Sequence, residues 1–345
     1  MKRRTIAAVI AGVAVLGAGV LSIPRPTTLS EHVNGDAALI EQVRGMLPSG
    51  PFDRMSVAVI EGDDVRVANF GSDSETEYEI GSVTKTFTGS LYAIALERDE
   101  VKTDSTLGEL LGVTGAAASI TMEELATQHS GLPRLPISPS MLLRSMIANF
   151  SGADPYTDDL DGLIAEASKT SVDEEKPFVY SNFGMALLGH ALAAAANTDY
   201  SSLVKERVLD ELSLSNTFAP TELPEGAPTG YGANGRPADA WTLAAYGPAG
   251  SIRSTLSDMT TYIVAQRDGT APGVEATEPR RESGESEIGY AWFTSDGSVV
   301  WHNGMTGGFA SFVGFDRESD RAVVILSNSA VSLDDLGFAL VEGEQ

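Results

Sequence analysis

Apolar residues recur along this chain with two different periods, and the switches between them mark out its elements. Between Asp36 and Leu47 they fall at Ala38, Ile40, Val43 and Leu47, the spacing of one helix face. Met55–Ile60 and Val65–Phe70 are apolar, extended runs around Glu61-Gly62-Asp63-Asp64, which predicts a hairpin. From Ser82 to Arg98 the period is helical again, with Val83, Phe87, Leu91, Ile94 and Ala95 on one face. From about 99 to 245 the pattern predicts helical pieces joined by Gly-, Pro- and Asp-rich loops at 131–139, 151–162 and 222–240. Thr255-x-x-Asp258 opens another helix with a capping-box pattern. Residues 269–287 are polar and acidic and predict an exposed loop. Strand-like runs follow at Tyr290–Thr294 with Val299–His302, at Ala310–Phe315 and at Ala322–Ser327, before a last helix from about Leu333 to Leu340.

Strands at both ends and helices between them predict an α/β (α+β) chain. One sheet domain is built from 36–98 plus 246–345, with a mainly helical domain, 99–245, inserted into it. The first residues do not read as part of this fold. Lys2, Arg3 and Arg4 precede an uncharged Ala/Val/Gly/Ile run from Thr5 to Ile23, the pattern of a secretory signal segment. An uncleaved N-terminal membrane anchor is the alternative, since about 20 apolar residues can span a bilayer. Residues 24–35 read as a linker. The expected location is therefore secreted or cell-envelope.

Composition narrows the chemistry. The chain has 345 residues, 42% of them apolar, enough for a sizeable core. Its formal net charge of −25 argues against nucleic acid as a partner, because phosphate would be repelled. The absence of cysteine excludes thiolate nucleophiles, disulfides and iron–sulfur clusters. The four histidines, at 32, 129, 190 and 302, form no His-x-x-x-His or His-x-His pair. Neither a metal site nor a cofactor is expected.

Three short stretches carry candidate chemistry. In Ile80-Gly81-Ser82-Val83-Thr84-Lys85, Ser82 stands where a loop enters a helix, and Lys85 shares its face three residues on. A serine hydroxyl is a poor nucleophile until a base takes its proton. Ser202-Leu203-Val204-Lys205 has the same spacing and reads as an ordinary exposed helix, while Ser82 by itself could be only an N-cap. Tyr180-Ser181-Asn182 is the chain's one Tyr-x-Asn and opens an apolar helix. Tyrosine is a weak base unless positive charge lowers its pKa of about 10. Either Lys85 supplies that charge, or Lys85 is itself desolvated and neutral. Trp301-His302-Asn303-Gly304-Met305 ends one strand and leads into another. His129-Ser130-Gly131 also fits His-x-Gly and looks like a turn.

Taken together, Ser82-x-x-Lys85, Tyr180-Ser181-Asn182 and His302-Asn303-Gly304 resemble the three motifs of the serine β-lactamase and penicillin-binding protein superfamily. Their order and wide spacing are similar to its class C branch, which also holds D-Ala-D-Ala carboxypeptidases and related esterases. Gln128-His129-Ser130-Gly131-Leu132-Pro133 and Pro248-Ala249-Gly250-Ser251-Ile252-Arg253 also resemble segments of that branch, and the likeness covers about 36–340. No Gly-x-Ser-x-Gly occurs, against an α/β-hydrolase elbow. The resemblance implies a β-lactamase/transpeptidase-like fold, a mixed antiparallel sheet flanked by helices with an inserted all-helical domain. It implies that Ser82 is acylated, and that Lys85 and Tyr180 share the proton transfers. The backbone N–H groups of Ser82 and Met305 would form the oxyanion hole. Asn182 would bind a substrate amide or steady Lys85, and His302, Asn303 and Gly304 would line the carboxylate end of the site. No cofactor is implied.

One departure bears on substrate. The branch's β-lactamases usually carry Lys-Thr-Gly where this chain has His302-Asn303-Gly304, a pattern seen more among the carboxypeptidase and esterase relatives. Histidine is mostly neutral at pH 7, so it holds a carboxylate less firmly unless its pKa is raised. The expectation is an exported serine hydrolase acting through a Ser82 acyl-enzyme on a small peptide-like amide or ester. D-Ala-D-Ala carboxypeptidase-like activity is placed ahead of class C-type β-lactamase or esterase activity. A penicillin- or cell-wall-peptide-binding protein without turnover is the alternative from another class.

Overall fold

The computed structural model describes residues 27–136 and 139–343, so the expected signal or anchor at 1–23 lies outside the described residues. The first sheet strands are β1 (Val33–Gly35), β2 (Met55–Glu61) and β3 (Asp64–Phe70), with helix α1 (Ala37–Met46) between β1 and β2. Six more strands come from the other end of the chain: β4 (Arg281–Glu282), β5 (Glu287–Ile288), β6 (Phe293–Ser295), β7 (Val299–Met305), β8 (Ala310–Asp316) and β9 (Arg321–Ser327). They join into one nine-stranded sheet in the order β1-β3-β2-β9-β8-β7-β6-β5-β4. Every pairing in it is antiparallel.

The central strands are apolar at successive positions because both faces of the sheet are covered. Ala322, Val324 and Leu326 of β9 pack on one face, and Val323 and Ile325 on the other. The second face is closed by Leu39, Ile40 and Val43 of α1 and by Leu336, Leu340 and Val341 of α7 (Asp334–Glu342). The first face carries α2 (Thr84–Glu97), through Phe87 and Leu91, and α6 (Leu256–Arg267), through Met259, Tyr262 and Ile263. Behind α2 lies α5 (Asn182–Ala195), apolar on nearly every side because it is interior, with Phe183, Met185, Leu187, Leu188 and Leu192 all buried. Two further helices, α3 (Pro139–Ser151) and α4 (Leu160–Ala167), belong to the same middle segment. That segment gives no strand to the main sheet, and its core is continuous with the sheet's: Phe87, Leu125, Leu187 and Tyr246 share one cluster. No helix among the described residues is long and apolar enough to cross a membrane.

Three local readings differ from the pattern. Val33–Gly35, inside the expected linker, is the edge strand β1, paired from Val33 to Phe70. Three residues are too few for an alternation to show. The expected loop at 269–287 contains a buried turn at Ala276–Thr277 and the two-residue strands β4 and β5. Charged, very short strands are how a sheet blunts its edge, and they read as loop in sequence. The run from Tyr290 pairs with β7 only from Phe293, because Ala291 takes a left-handed turn at φ 66°.

Candidate active site

Ser82 lies in a 3-10 turn, Gly81–Val83, that runs directly into α2. In a first turn the backbone N–H groups have no intrahelical acceptor, which leaves the Ser82 N–H free to point at a ligand. One helical turn on, Lys85 is fully buried. Its Nζ donates to Ser82 Oγ at 2.9 Å and to the Ala249 carbonyl at 2.6 Å. Burial, with the Arg134 guanidinium second, pushes the amine well below its ordinary pKa. Of the two alternatives open in sequence, the structure supplies the desolvation that the second one invokes.

Tyr180 stands just ahead of α5, whose N-cap is Ser181. The 128–134 segment holds this loop in place. Gln128 Oε1 accepts from the Ser181 N–H at 2.7 Å, the Pro133 carbonyl accepts from Ser181 Oγ at 2.7 Å, and the Arg134 carbonyl accepts from the Phe183 N–H at 3.2 Å. The result brings Tyr180 to the same cleft as Ser82. The Lys85 amine lies 4.8 Å from the Tyr180 ring centroid and the Arg134 guanidinium 5.1 Å. Burial outweighs the lowering effects of Ser82 and Arg134 and raises the phenol's pKa, so Tyr180 is a neutral O–H at pH 7.

The third stretch closes the site from the sheet. Two glycines let the end of β7 touch the Ser82 turn. A Cβ on Gly81, which has φ +50°, would stand 2.7 Å from the Met305 nitrogen, and one on Gly304 would stand 2.0 Å from the Ile80 carbonyl oxygen. The ladder then orients Met305. Thr306 N–H donates to Phe309 O and Arg317 N–H to Ser298 O, so the hydrogen-bonded pairs between β7 and β8 are the even-numbered residues of β7. Met305 is odd-numbered, so its N–H points away from β8, on the side where β6 has already ended at Phe293↔Trp301. Ser82 and Met305 thus border one cleft, each with a backbone N–H that the helix and the ladder leave unused.

Two of the expected site residues behave differently. His302 is fully buried; its ring lies 6.1 Å from that of Tyr180 and 5.5 Å from that of Phe293, and Nδ1 is 2.5 Å from the Asn303 carbonyl. Burial, with Lys85 beside it, pushes its pKa down to about 3. His302 is thus neutral and does not line the cleft as the expected carboxylate end. The pleat of β7 is the reason. It turns His302 and Gly304 toward the α2 side and gives the open side to Trp301, Asn303 and Met305. Asn182 does not steady Lys85. Its Nδ2 donates to the Tyr156 hydroxyl at 3.1 Å, and its buried Oδ1 accepts no bond.

The open space at Ser82 is a cleft of about 410 Å³, walled by Tyr180, Phe293, Trp301, Asn303 and Met305, with Arg134 and Asp334 as its two charged lining residues. Across Met305 lies a second cavity of about 440 Å³, lined by Leu135, Ala148, Tyr156 and Trp241 among others. Arg134, Tyr156, Trp241 and Asp334 were not legible as site residues, because no motif or spacing links them to Ser82. The predicted loops were the hint, since 131–139 holds Arg134, 151–162 holds Tyr156 and 222–240 ends just before Trp241. The second Ser-x-x-Lys is a surface feature: Ser202 Oγ donates to Asp199 and Lys205 pairs with Asp210. Likewise His129 Nδ1 lies 2.6 Å from the Thr127 carbonyl. Among the described residues no three His, Asp or Glu side chains stand together as a metal-binding group.

The Beta-lactamase family model matches residues 40–340. A "Beta-lactamase" of Pseudomonas fluorescens is 28% identical over 225 residues, covering 61% of this chain and 58% of that protein. A "Beta-lactamase" of Providencia stuartii is 27% identical over 253 residues, 69% of this chain and 61% of that protein. "Protein flp" of Staphylococcus aureus is 23% identical over 281 residues, 73% of this chain and 53% of that protein. The matched stretch thus spans less than two thirds of these relatives' own lengths. In fold, the chain is similar to a solved class C beta-lactamase at TM-score 0.72 and 18% identity, covering 89% of this chain and 94% of that one. The class C beta lactamase from Rhodobacter sphaeroides gives TM-score 0.72 at 19% identity, covering 89% of this chain and 98% of that one.

Proposed function

The chain belongs to the Beta-lactamase family, and we propose that it is a serine hydrolase working through an acyl-enzyme on Ser82. The observation that carries this is the buried Lys85 amine 2.9 Å from Ser82 Oγ, its pKa pushed down by burial, with the Tyr180 phenol beside both. A neutral amine has a lone pair to take the serine proton as Oγ attacks a carbonyl carbon. The carbonyl oxygen, gaining charge, is met by the N–H groups of Ser82 and Met305. The proton then passes by way of Tyr180 to the leaving alcohol or amine as its bond to the carbonyl breaks. Water reverses the path and frees the acid.

His302 no longer supports a carboxypeptidase preference, because a buried neutral imidazole cannot meet a substrate carboxylate. On the cleft wall beside it the charged group is Asp334. The reading favoured here is hydrolysis of an ester or peptide-like amide whose leaving group carries no carboxylate at that end. D-Ala-D-Ala carboxypeptidase-like cleavage is the second reading, and its support is Arg134, the guanidinium in the cleft. β-Lactam hydrolysis draws its support from the names of the relatives. Export is supported by the charged start and apolar run of residues 2–23.

The test is covalent labelling of the folded protein with a fluorescent penicillin and, separately, with a p-nitrophenyl ester, with Ser82→Ala beside it. Label and nitrophenol release that both vanish in Ser82→Ala are expected. No label or turnover with either reagent would overturn the enzyme reading, and saturable binding without label would favour the binding protein.

A further inference from the structure

The cleft at Ser82 carries a cluster whose chemistry the hydrolytic reading leaves unused. Tyr180 and Met305 both border it, and a leaving group must sit within reach of Tyr180 to take its proton. The space on the Tyr180 side is therefore the leaving-group half, and the cavity across Met305 remains for the acyl half. The leaving-group half has an aromatic wall. The Tyr180 and Phe293 rings are stacked with centroids 6.5 Å apart, and Phe293 and Trp301 are stacked at 5.2 Å. The Trp301 indole is tied down by its Nε1, which donates to Ser295 Oγ at 2.9 Å. Beside this wall stands the Asp334 carboxylate, which accepts from Asn303 Nδ2 at 2.9 and 3.0 Å, one bond to each oxygen. No cationic side chain lies within salt-bridge distance of Asp334 among the described residues. Arg134, the other charge in the cleft, already rests on the Tyr180 ring.

We propose that Asp334, Asn303, Trp301 and Phe293 form a subsite for an alkylammonium group on the leaving side of the substrate. Aromatic faces joined to a carboxylate attract a cation twice over, by ring quadrupole and by charge. A carboxylate has about four lone-pair directions, and Asn303 uses two of them, leaving the rest for a ligand. The chain's net charge of −25 favours cations over anions around the molecule at long range. Where the cation sits relative to the scissile bond rests on the acyl-enzyme reading, but the subsite itself does not.

The test separates the two. Binding of choline chloride and of its uncharged isostere 3,3-dimethylbutanol is measured by calorimetry on wild type, Asp334→Asn, Asp335→Asn and Trp301→Leu. Asp335 neighbours Asp334 on α7 but is exposed and outside the cleft, so it controls for net charge alone. Expected is saturable one-to-one choline binding, weakened about tenfold or more in Asp334→Asn, weakened in Trp301→Leu and unchanged in Asp335→Asn. Added salt should weaken it further. Equal affinity for both ligands, no saturable choline binding, or an undiminished Asp334→Asn would each overturn the subsite. A choline ester is then compared with the matching dimethylbutyl ester. A kcat/KM ratio above about ten in wild type, collapsing in Asp334→Asn, puts the subsite on the leaving side. If choline binds but the ratio is near one, the cation site stands and its placement on the leaving side fails. If neither ester is hydrolysed while choline binds, the enzyme reading fails and the subsite stands.

Discussion

Gly304→Ala tests how the oxyanion hole is held. The new Cβ would stand 2.0 Å from the Ile80 carbonyl oxygen, 2.4 Å from Ser311 Oγ and 3.0 Å from the Ser82 nitrogen. The Ile80 oxygen cannot swing aside cheaply, because it accepts from Ser311 Oγ at 2.8 Å and from the Val83 N–H at 3.2 Å. Ordinary contact begins at 3.4 Å, so β7 and the Ser82 turn must separate by about 1.4 Å. Met305 is the next residue and moves with β7, whereas oxyanion donors act at about 2.7–3.1 Å. Losing one such donor costs about 10²–10³ in kcat, and overpacking costs about 1–3 kcal/mol of stability. The assay is steady-state hydrolysis of a p-nitrophenyl ester together with urea melts. Gly45→Ala is the control. It lies in α1 with nothing within 4 Å of the added methyl, and should keep full activity with stability unchanged or slightly raised. A folded Gly304→Ala protein with kcat within about threefold of wild type would refute the packing argument, since a shift of this size cannot leave both donors in place.

Other predictions follow from the buried charges. Lys85→Met should abolish hydrolysis yet raise Tm, because burial disfavours the charged amine in the folded chain, whereas the unfolded chain protonates it freely below about pH 10.4. The gain should shrink as pH rises toward that value, and a lower Tm at pH 7 would contradict the downward shift. Arg134→Gln removes a positive charge that lowers the Lys85 pKa, so the acid limb of the kcat/KM profile should move to higher pH; a limb that stays or moves down rules out that coupling. His302 is held neutral down to about pH 3, against about 6.5 unfolded. Its contribution to stability is therefore complete above about pH 6.5 and lost as pH falls toward 3, on the order of a few kcal/mol across that window. Wild type should lose more stability than His302→Gln between pH 7 and pH 5, and an NMR titration placing the imidazole pKa above 5 would disprove it.

Much of this molecule was legible in the chain because much of it is local. Periods of 3.6 and 2 are properties of one segment, so α1, α2, the β2–β3 hairpin and strands β7 to β9 could be read directly. Ser82 and Lys85 lie one helical turn apart, and their meeting needs nothing but the helix. What the chain could not announce is whatever depends on which face packs where. His302 and Asn303 are adjacent in one motif, yet the pleat sends one into the core and the other to the cleft, and which goes which way is set by the layers on each side of the sheet. The downward push on the Lys85 pKa comes from burial, which is a tertiary quantity. Arg134 and Asp334 are 200 residues apart and share no motif with Ser82, and only the folded chain puts both charges at the nucleophile. Sequence determined the elements and the meeting of Ser82 with Lys85. Tertiary structure decided the burial of Lys85 and the charge of the cleft walls. The reason is that desolvation and juxtaposition exist only once the layers have closed.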